Sequence, residues 1–552
     1  MAGRESATVD EMIRRRIGDT NPAVVFEDER WTWEQHVNAS ATRAALAGAL
    51  RRTGPFHIGF LLENVPEVSF WLGAGAVAGA VMVGINPTRR GAELATDIRH
   101  TDCQLVVTER KLVPLLDGLD IGVGRDRILV VDTDEYLATC AAHATTSLPD
   151  QRVSADATAL LVFTSGTSGA PKAAIVSQRR LALYGRTLSA SQELTADSVC
   201  YLAMPLFHSN ALYAGWSPAV YVGATIAMRR RFSASGFIDD VRRYRVTYFN
   251  YVGKPLSYIL ATPARPDDRE HSLVRVLGNE GSELDIARFS ERFGVPVTDS
   301  YGSTEGGIIV RRSPDQPKGA LGRLPDGALV VDPESGVARP PAHFDDAGRL
   351  LNPEECIGEI VNTGRGSFEG YYKNDDAVRA RTRNGWYWSG DLGYVDVDGW
   401  LWFAGRDYDW LRVDGENFAA APVERILSRF PGVVLAAVYA VPAADVGDEV
   451  MAALQLEPGR AFEPEVFDDF LARQPDLGEK WSPRYVRIAD PLPVTATAKI
   501  VKRDLRTTRW ECADPIWWRP GRGEALRRLT PDDAAAIRES FVAHGRENEL
   551  LR

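Results

Sequence analysis

The sequence predicts an α/β fold: a large N-terminal part with buried, mostly parallel sheets in several layers, followed by a smaller, mobile α+β domain at the C-terminus. Three observations predict it. Short Val/Ile/Leu runs without alternation recur at residues 58–62, 105–107, 128–131, 159–163 and 274–277, the pattern of strands covered on both faces. Helical stretches such as 237–244 and 286–293 separate them, as successive βαβ units require. The chain of 552 residues is long enough for two to four domains, and its texture changes near Gly405-Arg406-Asp407.

Each element follows from its residues. The uncharged stretch 68–85 approaches membrane-spanning length, but Gly79 divides a Gly/Ala-rich helical part from the β-branched run 81–85. A buried helix and then a buried strand is the expected reading, with peripheral lipid contact kept open. A Gly/Asp-rich turn at 396–399 precedes the texture change. A helix at 422–428, strands at 433–441 and 450–456, and a helix at 463–473 follow it and form a domain of about a hundred residues. The expected division is therefore 1–405, a hinge at 406–409, a C-terminal domain at 410–515 and a helical tail at 516–552. In that tail Thr530 reads as an N-cap, Pro531 as the first helical residue, and Asp532 and Asp533 as an acidic first turn.

Composition narrows the function. A net charge of −11 argues against a nucleic-acid binder, which needs a basic surface to displace counterions. The five cysteines are odd in number, far apart and not at metal-ligand spacing, which fits a reducing, cytoplasmic setting. The N-terminus lacks the apolar core and small-residue cleavage site of a signal peptide.

The chemistry concentrates in one loop. Thr164, Ser165, Gly166, Thr167, Ser168, Gly169, Ala170, Pro171 and Lys172 directly follow the strand at 159–163. Glycines let backbone N–H groups approach a phosphate, hydroxyls add donors, and Lys172 adds positive charge. A Walker-type loop needs four residues between its glycines and then Gly-Lys-Ser/Thr. Only Thr167 and Ser168 separate Gly166 from Gly169, Pro171 precedes the lysine and Ala173 follows it, so that motif is excluded.

The loop resembles the phosphate loop of the adenylate-forming superfamily, which includes acyl-CoA synthetases, luciferases and peptide-synthetase adenylation domains. Four further segments resemble that superfamily's motifs in its order: 299–305 (Asp-Ser-Tyr-Gly-Ser-Thr-Glu), 386–392, 405–417 and 493–499. The resemblance implies that Tyr301 lies near adenine, Thr304 contacts phosphate and Glu305 holds Mg²⁺. It implies that Asp391 and Arg406 take the ribose, and that Lys499 is the catalytic lysine. The family's hinge residue falls on Tyr408, where Asp or Lys is usual, leaving Asp407 or Asp409 as alternatives. Ala498 stands where most members have Gly.

The resemblance also implies the substrates. They are ATP with Mg²⁺, a small-molecule carboxylic acid near His208, Tyr251 and Gly302, and CoA near Arg412, Gly415 and Glu416. Segments 88–91, 248–255 and 517–521 are similar to the fatty acid transport protein and very-long-chain acyl-CoA synthetase branch, and most similar to its actinobacterial members. Some of those activate fatty acids and others steroid side-chain carboxylates. The run Asn279-Glu280-Gly281-Ser282 departs from the Gly-Asn-Gly of many fatty acid members. The expected activity is AMP-forming acyl-CoA synthesis from a long-chain or bulky, steroid-like acid, with a homodimer as the assembly. The alternatives are an acyl-AMP ligase feeding a carrier protein, a luciferase-like oxidase and a non-catalytic binder.

Overall fold

The computed structural model describes residues 7–164, 172–279, 281, 283–313, 315–317, 319–346, 348, 350–364, 368–406, 410–413, 416–445, 447–474, 477–478, 480–495, 500–521 and 523–550. Two large sheets form the N-terminal part. The first runs in the order Ile128–Val130, Cys103–Thr108, His57–Leu61, Val81–Gly84, Thr158–Phe163, Ala173–Ser177. Its pairs are parallel except for the last, an antiparallel hairpin whose connection is the loop 164–172. The second, of eight strands, places Val297–Gly302, Arg275–Asn279, Tyr248–Val252, Val199–Leu202, Thr225–Met228 and Pro22–Phe26 side by side in parallel, with an antiparallel strand at each edge.

The uncharged stretch is a helix and a strand, as expected. Pro66 opens the helix Pro66–Ala78, Gly79 closes it at φ 68°, and every residue of the strand Val81–Gly84 is buried. Proline suits a first turn that has no N–H partner to lose, and glycine suits the left-handed cap. Among the described residues no helix is long and apolar enough to cross a membrane.

Three fully buried tryptophans tie the layers together, and each indole N–H is satisfied, as burial demands. Trp33 donates to the Gly223 carbonyl at 3.0 Å, Trp71 to the Tyr136 hydroxyl at 3.0 Å and Trp216 to Ser69 Oγ at 2.8 Å.

A third, antiparallel sheet contains Ala320–Arg323, Trp400–Arg406, Trp386–Val395, Gly358–Asn362 and Ala328–Val331 in that order. Beyond it lies the C-terminal sheet, in the order Val433–Pro442, Asp448–Leu456, Tyr485–Ile488, Ile516–Trp518, Arg527–Arg528. The hairpin Trp410–Val413 with Glu416–Ala419 stands beside it. The tail carries the expected capped helix, Pro531–Ala543, with Thr530 accepting from the Asp533 backbone N–H. It is not a separate helical appendage, however. It opens with a strand of the C-terminal sheet, and Ile537 and Phe541 enter the same buried cluster as Tyr439, Leu492 and Trp518. The apolar residues of 516–541 complete a core that 410–515 leaves open.

Candidate active site

The site forms where the first and third sheets meet the C-terminal end of the strand Val297–Gly302. Thr164 and Lys172 close the base of the phosphate loop through a 3.0 Å bond from the Thr164 N–H to the Lys172 carbonyl. Residues 165–171, and with them Ser165, Gly166, Thr167, Ser168 and Gly169, lie outside the described residues. Lys172 is half-buried, and its pKa is lowered, first by burial and then by the Arg381 guanidinium, with Glu305 acting in opposition. The loop's lysine therefore shares an environment with the carboxylate expected to hold Mg²⁺.

Thr304 and Glu305 follow the strand Val297–Gly302 and are held from several sides. Thr304 Oγ1 lies 2.8 Å from Ser209 Oγ. The Thr304 carbonyl accepts from Arg180 Nη2 at 2.7 Å and from the Tyr213 hydroxyl at 3.2 Å. Arg180 is buried, with its guanidinium 5.7 Å from the Tyr184 ring centroid and 5.8 Å from that of Tyr213, whose two rings stack. Glu305 is only 8% exposed and accepts at Oε1 from the Tyr371 hydroxyl, 2.6 Å away.

Tyr301 and Asp391, ninety positions apart in sequence, meet directly: the tyrosine hydroxyl donates to Asp391 Oδ2 at 2.6 Å. Burial and then the Asp391 charge hold the Tyr301 phenol well above its ordinary pKa, so it stays a donor. Ser389-Gly390-Asp391, which on its own reads as a turn, lies inside the strand Trp386–Val395. Asp391 pairs with the Arg406 backbone across the ladder; the Arg406 side chain is outside the description. So are the hinge 407–409, Gly415, Lys499 and the side chains of Arg412 and Glu416. The loop bearing Lys499 is closed at its base by the Val501 N–H donating to the Pro493 carbonyl at 2.8 Å.

The residues expected around the acid divide. His208 is half-buried, and its Nδ1 accepts from the Asn210 N–H at 3.3 Å. Gly302 is exposed at the end of its strand. Tyr251 is fully buried: its hydroxyl donates to Asp299 Oδ2 at 2.7 Å, and Asp299 also accepts from the Gly281 N–H. Its ring fills the space beside two glycines, where a Cβ would lie 1.9 Å from Tyr251 Cζ at Gly278 and 2.2 Å from its hydroxyl at Gly281.

The described residues contain no group of three or more His, Cys, Asp or Glu placed to hold a metal ion. Glu305 and the neighbouring Thr304 hydroxyl nevertheless suit Mg²⁺, which takes oxygen ligands and is commonly held by one or two carboxylates with substrate phosphates completing its shell. A carboxylate that accepts one hydrogen bond keeps lone pairs for a cation.

Residues 15–372 match the family model for AMP-binding enzymes, and residues 422–499 match that of the AMP-binding enzyme C-terminal domain. The chain belongs to the AMP-binding enzyme family. It is 48% identical over 550 residues to a steroid-22-oyl-CoA synthetase of Rhodococcus jostii, with 99% of each chain covered. It is 46% identical over 503 residues to a medium/long-chain-fatty-acid–CoA ligase of Mycobacterium marinum, covering 91% of this chain and 96% of that one. Among solved structures it resembles an anthranilate CoA ligase in complex with anthranoyl-AMP, at TM-score 0.79 and 21% identity over 91% of this chain and 97% of that one. It also resembles ATP-bound MatB from Rhodopseudomonas palustris, at TM-score 0.77 and 23% identity over 91% and 99%. As a member of this family the chain is an AMP-forming acid–CoA ligase that uses ATP, Mg²⁺ and CoA. The reaction joins a carboxylate to AMP with release of pyrophosphate, then exchanges AMP for the CoA thiol.

Arg180, Tyr213 and Tyr371 were not legible from the sequence, because each stands alone in its segment without a motif; Ser209 lies beside His208 in a segment that the resemblance covers, but its contact with Thr304 was not legible. Asn64 is a further case. Its side chain donates to the Met204 carbonyl and accepts from the Leu206 N–H, both at 2.9 Å, and so fixes the turn that presents His208. A polar residue just past a buried strand was the only signal.

Proposed function

We propose that the acid activated is a bulky, polycyclic side-chain carboxylate of the steroid class. The observation that carries this reading is the Tyr251 ring, anchored on Asp299 and seated against Gly278 and Gly281. A long straight chain needs a narrow, deep channel. An anchored aromatic ring in that space favours a broad, shallow seat nearer His208 and Gly302. The likeness to the Rhodococcus enzyme, spanning 99% of both chains, supports the same reading. The comparable likeness to the mycobacterial medium/long-chain ligase supports a fatty acid as the second.

Within this proposal the loop 164–172 grips the β- and γ-phosphates through Thr164, Ser165, Gly166, Thr167, Ser168, Gly169 and Lys172. Tyr301 faces adenine, and Asp391 with Arg406 takes the ribose. Thr304 contacts phosphate, and Glu305 supplies the carboxylate for Mg²⁺, whose charge neutralises phosphate oxygens when bound. Lys499 bridges the acid and phosphate oxygens as charge develops between them, the kind of aimed charge that lowers a phosphoryl-transfer barrier. Arg412, Gly415 and Glu416 serve the CoA half-reaction. A cytoplasmic location, a homodimer and peripheral lipid contact belong to the same proposal. Five free cysteines, four of them buried, support the first; the stretch 68–85 is buried apart from Ala78 and Gly79, which leaves lipid contact to other parts of the surface.

The test is a substrate panel with purified enzyme, ATP, Mg²⁺ and CoA. Steroids carrying a short side-chain carboxylate are compared with straight-chain acids of eight to about eighteen carbons, reading AMP release and thioester formation. The steroid acids should exceed the best straight-chain acid by at least about tenfold in kcat/KM. The reverse order would establish the fatty acid reading. Pyrophosphate release and accumulation of acyl-adenylate without CoA consumption would establish an acyl-AMP ligase.

A further inference from the structure

Residues 369–372 form a short segment locked onto the strand that leaves the phosphate loop. The Ile175 N–H donates to the Gly370 carbonyl at 3.0 Å, and the Tyr372 N–H donates to the Ala173 carbonyl at 2.9 Å. Glu369 accepts from both the N–H and the hydroxyl of Ser177, at 2.6 Å each, where Ser177 caps the helix Gln178–Ser191. The Tyr372 hydroxyl donates to Asp102 Oδ2 at 2.6 Å, and His100 Nε2 meets the Tyr372 carbonyl at 2.8 Å. The segment therefore has the position of the first sheet and moves with the phosphate loop's own strand.

From this frame Tyr371 reaches the opposite way. Its ring is buried among Ala174, Ala377 and Phe368, and its hydroxyl ends on Glu305 Oε1. Glu305 stands on a different sheet's loop, 66 positions away in sequence. Tyr371 is thus, among the described residues, a direct bond between the element that carries the phosphate loop and the carboxylate expected to share a cation with those phosphates. A carboxylate on a loop is free to rotate about its side-chain bonds, and a fixed donor on one oxygen removes that freedom.

Resting on the assignment of Glu305 to Mg²⁺, we propose that Tyr371 is a positioning residue for the metal: its hydroxyl fixes one oxygen of the Glu305 carboxylate and leaves the remaining lone pairs for the cation. The role belongs to the hydroxyl alone, because the ring makes its own apolar contacts. Tyr371→Phe keeps the ring and deletes the bond to Glu305, together with the hydroxyl's interaction with the neighbouring Arg381. Tyr201→Phe is the matched control, since the Tyr201 hydroxyl donates to Asp240 at 2.7 Å in a buried tyrosine–carboxylate pair of the second sheet.

The experiment titrates Mn²⁺ into wild-type and variant enzymes holding a non-hydrolysable ATP analogue and reads bound metal by electron paramagnetic resonance. The Mg²⁺ dependence of pyrophosphate exchange is measured beside it. Tyr371→Phe should weaken Mn²⁺ binding about tenfold, within the range found when a metal ligand loses its hydrogen-bond partner. It should raise the Mg²⁺ requirement by the same factor, with most of kcat recovered at saturating Mg²⁺. Tyr201→Phe should leave both measurements at the wild-type value. Unchanged Mn²⁺ affinity in Tyr371→Phe, or equal weakening in both variants, overturns the role of Tyr371. Failure of the wild-type enzyme itself to bind Mn²⁺ saturably with the analogue overturns the metal assignment of Glu305, and the proposal with it.

Discussion

At the scale of single residues, His36 shows how burial alone sets a chemical state. Its Nε2 lies 2.8 Å from Ser69 Oγ, and the same hydroxyl oxygen accepts from the Trp216 indole. The Ser69 hydroxyl can donate to Nε2 or accept from it, and Nδ1 is buried with no hydrogen-bond partner among the described residues, so a second proton on the ring would find no acceptor. Burial first, and the nearby Arg43 guanidinium second, lower the His36 pKa from 6.5 to about 3. In the unfolded chain the imidazole takes a proton as pH falls through 6.5, whereas the folded protein resists until about 3. The unfolded state binds more protons across that window, so stability is lost as pH falls within it, by up to about 1.4 kcal/mol per pH unit. His36→Gln, which keeps a polar partner for Ser69, should flatten the fall of melting temperature between pH 6.5 and 4 relative to wild type. Parallel curves for the two proteins would sink the assignment.

At the scale of elements, the parallel strands were legible because strands buried on both faces read as unbroken apolar runs. The antiparallel third sheet was not. Its strand Trp386–Val395 contains Ser389, Gly390 and Asp391, with Gly390 at φ 70°, and a ladder irregularity follows at Leu392. Locally those residues have turn chemistry, and only the partners on either side make them a strand. The site divides in the same way. Tyr301, Thr304, Glu305 and Asp391 were legible because a motif names them, whereas Arg180 and Tyr371 act through contacts between distant segments that no local spacing encodes. Close approach of elements is equally invisible in sequence. Where the strand Val81–Gly84 ends, a Cβ on Gly84 would lie 2.7 Å from the Phe207 carbonyl oxygen. That atom is backbone, in the turn that Asn64 clamps beside His208, so it cannot swing aside as a side-chain tip could. Gly84→Ala must push the turn, and if that turn bears the acid as proposed, misplacing it by about 1 Å can cost on the order of a hundredfold. The expected result is a kcat/KM for the acid reduced tenfold to a hundredfold, with a smaller rise in the KM for ATP, because Gly84 also pairs with Val162 just before the phosphate loop but the added Cβ meets the Phe207 turn. An equal loss toward both substrates would contradict it.

At the scale of the molecule, the question is how one site serves two half-reactions. Among the described residues, side chains of the C-terminal domain meet the N-terminal part at more than one place. Tyr258 of the helix Pro255–Leu260 packs on the cluster around Tyr439 and Leu492, and the Arg425 guanidinium lies close enough to Tyr394 to act on its phenol. Half-polar contacts of this kind resemble transient interfaces, which permit domains to move. Lys499 belongs to the smaller domain by sequence, while the phosphate loop, Glu305 and Asp391 belong to the larger. If rotation about 406–409 withdraws Lys499 after the adenylate forms, the lysine matters to the first half-reaction and not to the second. Lys499→Ala should then lower pyrophosphate exchange by about a thousandfold or more, the scale of losing a donor aimed at transition-state charge. Thioester formation from CoA and synthetic acyl-adenylate should stay within about threefold of wild type, since that step draws no charge stabilisation from this group. Pyrophosphate exchange at the wild-type rate would remove Lys499 from the mechanism. Equal loss of both steps would mean that the two domains do not exchange places between them.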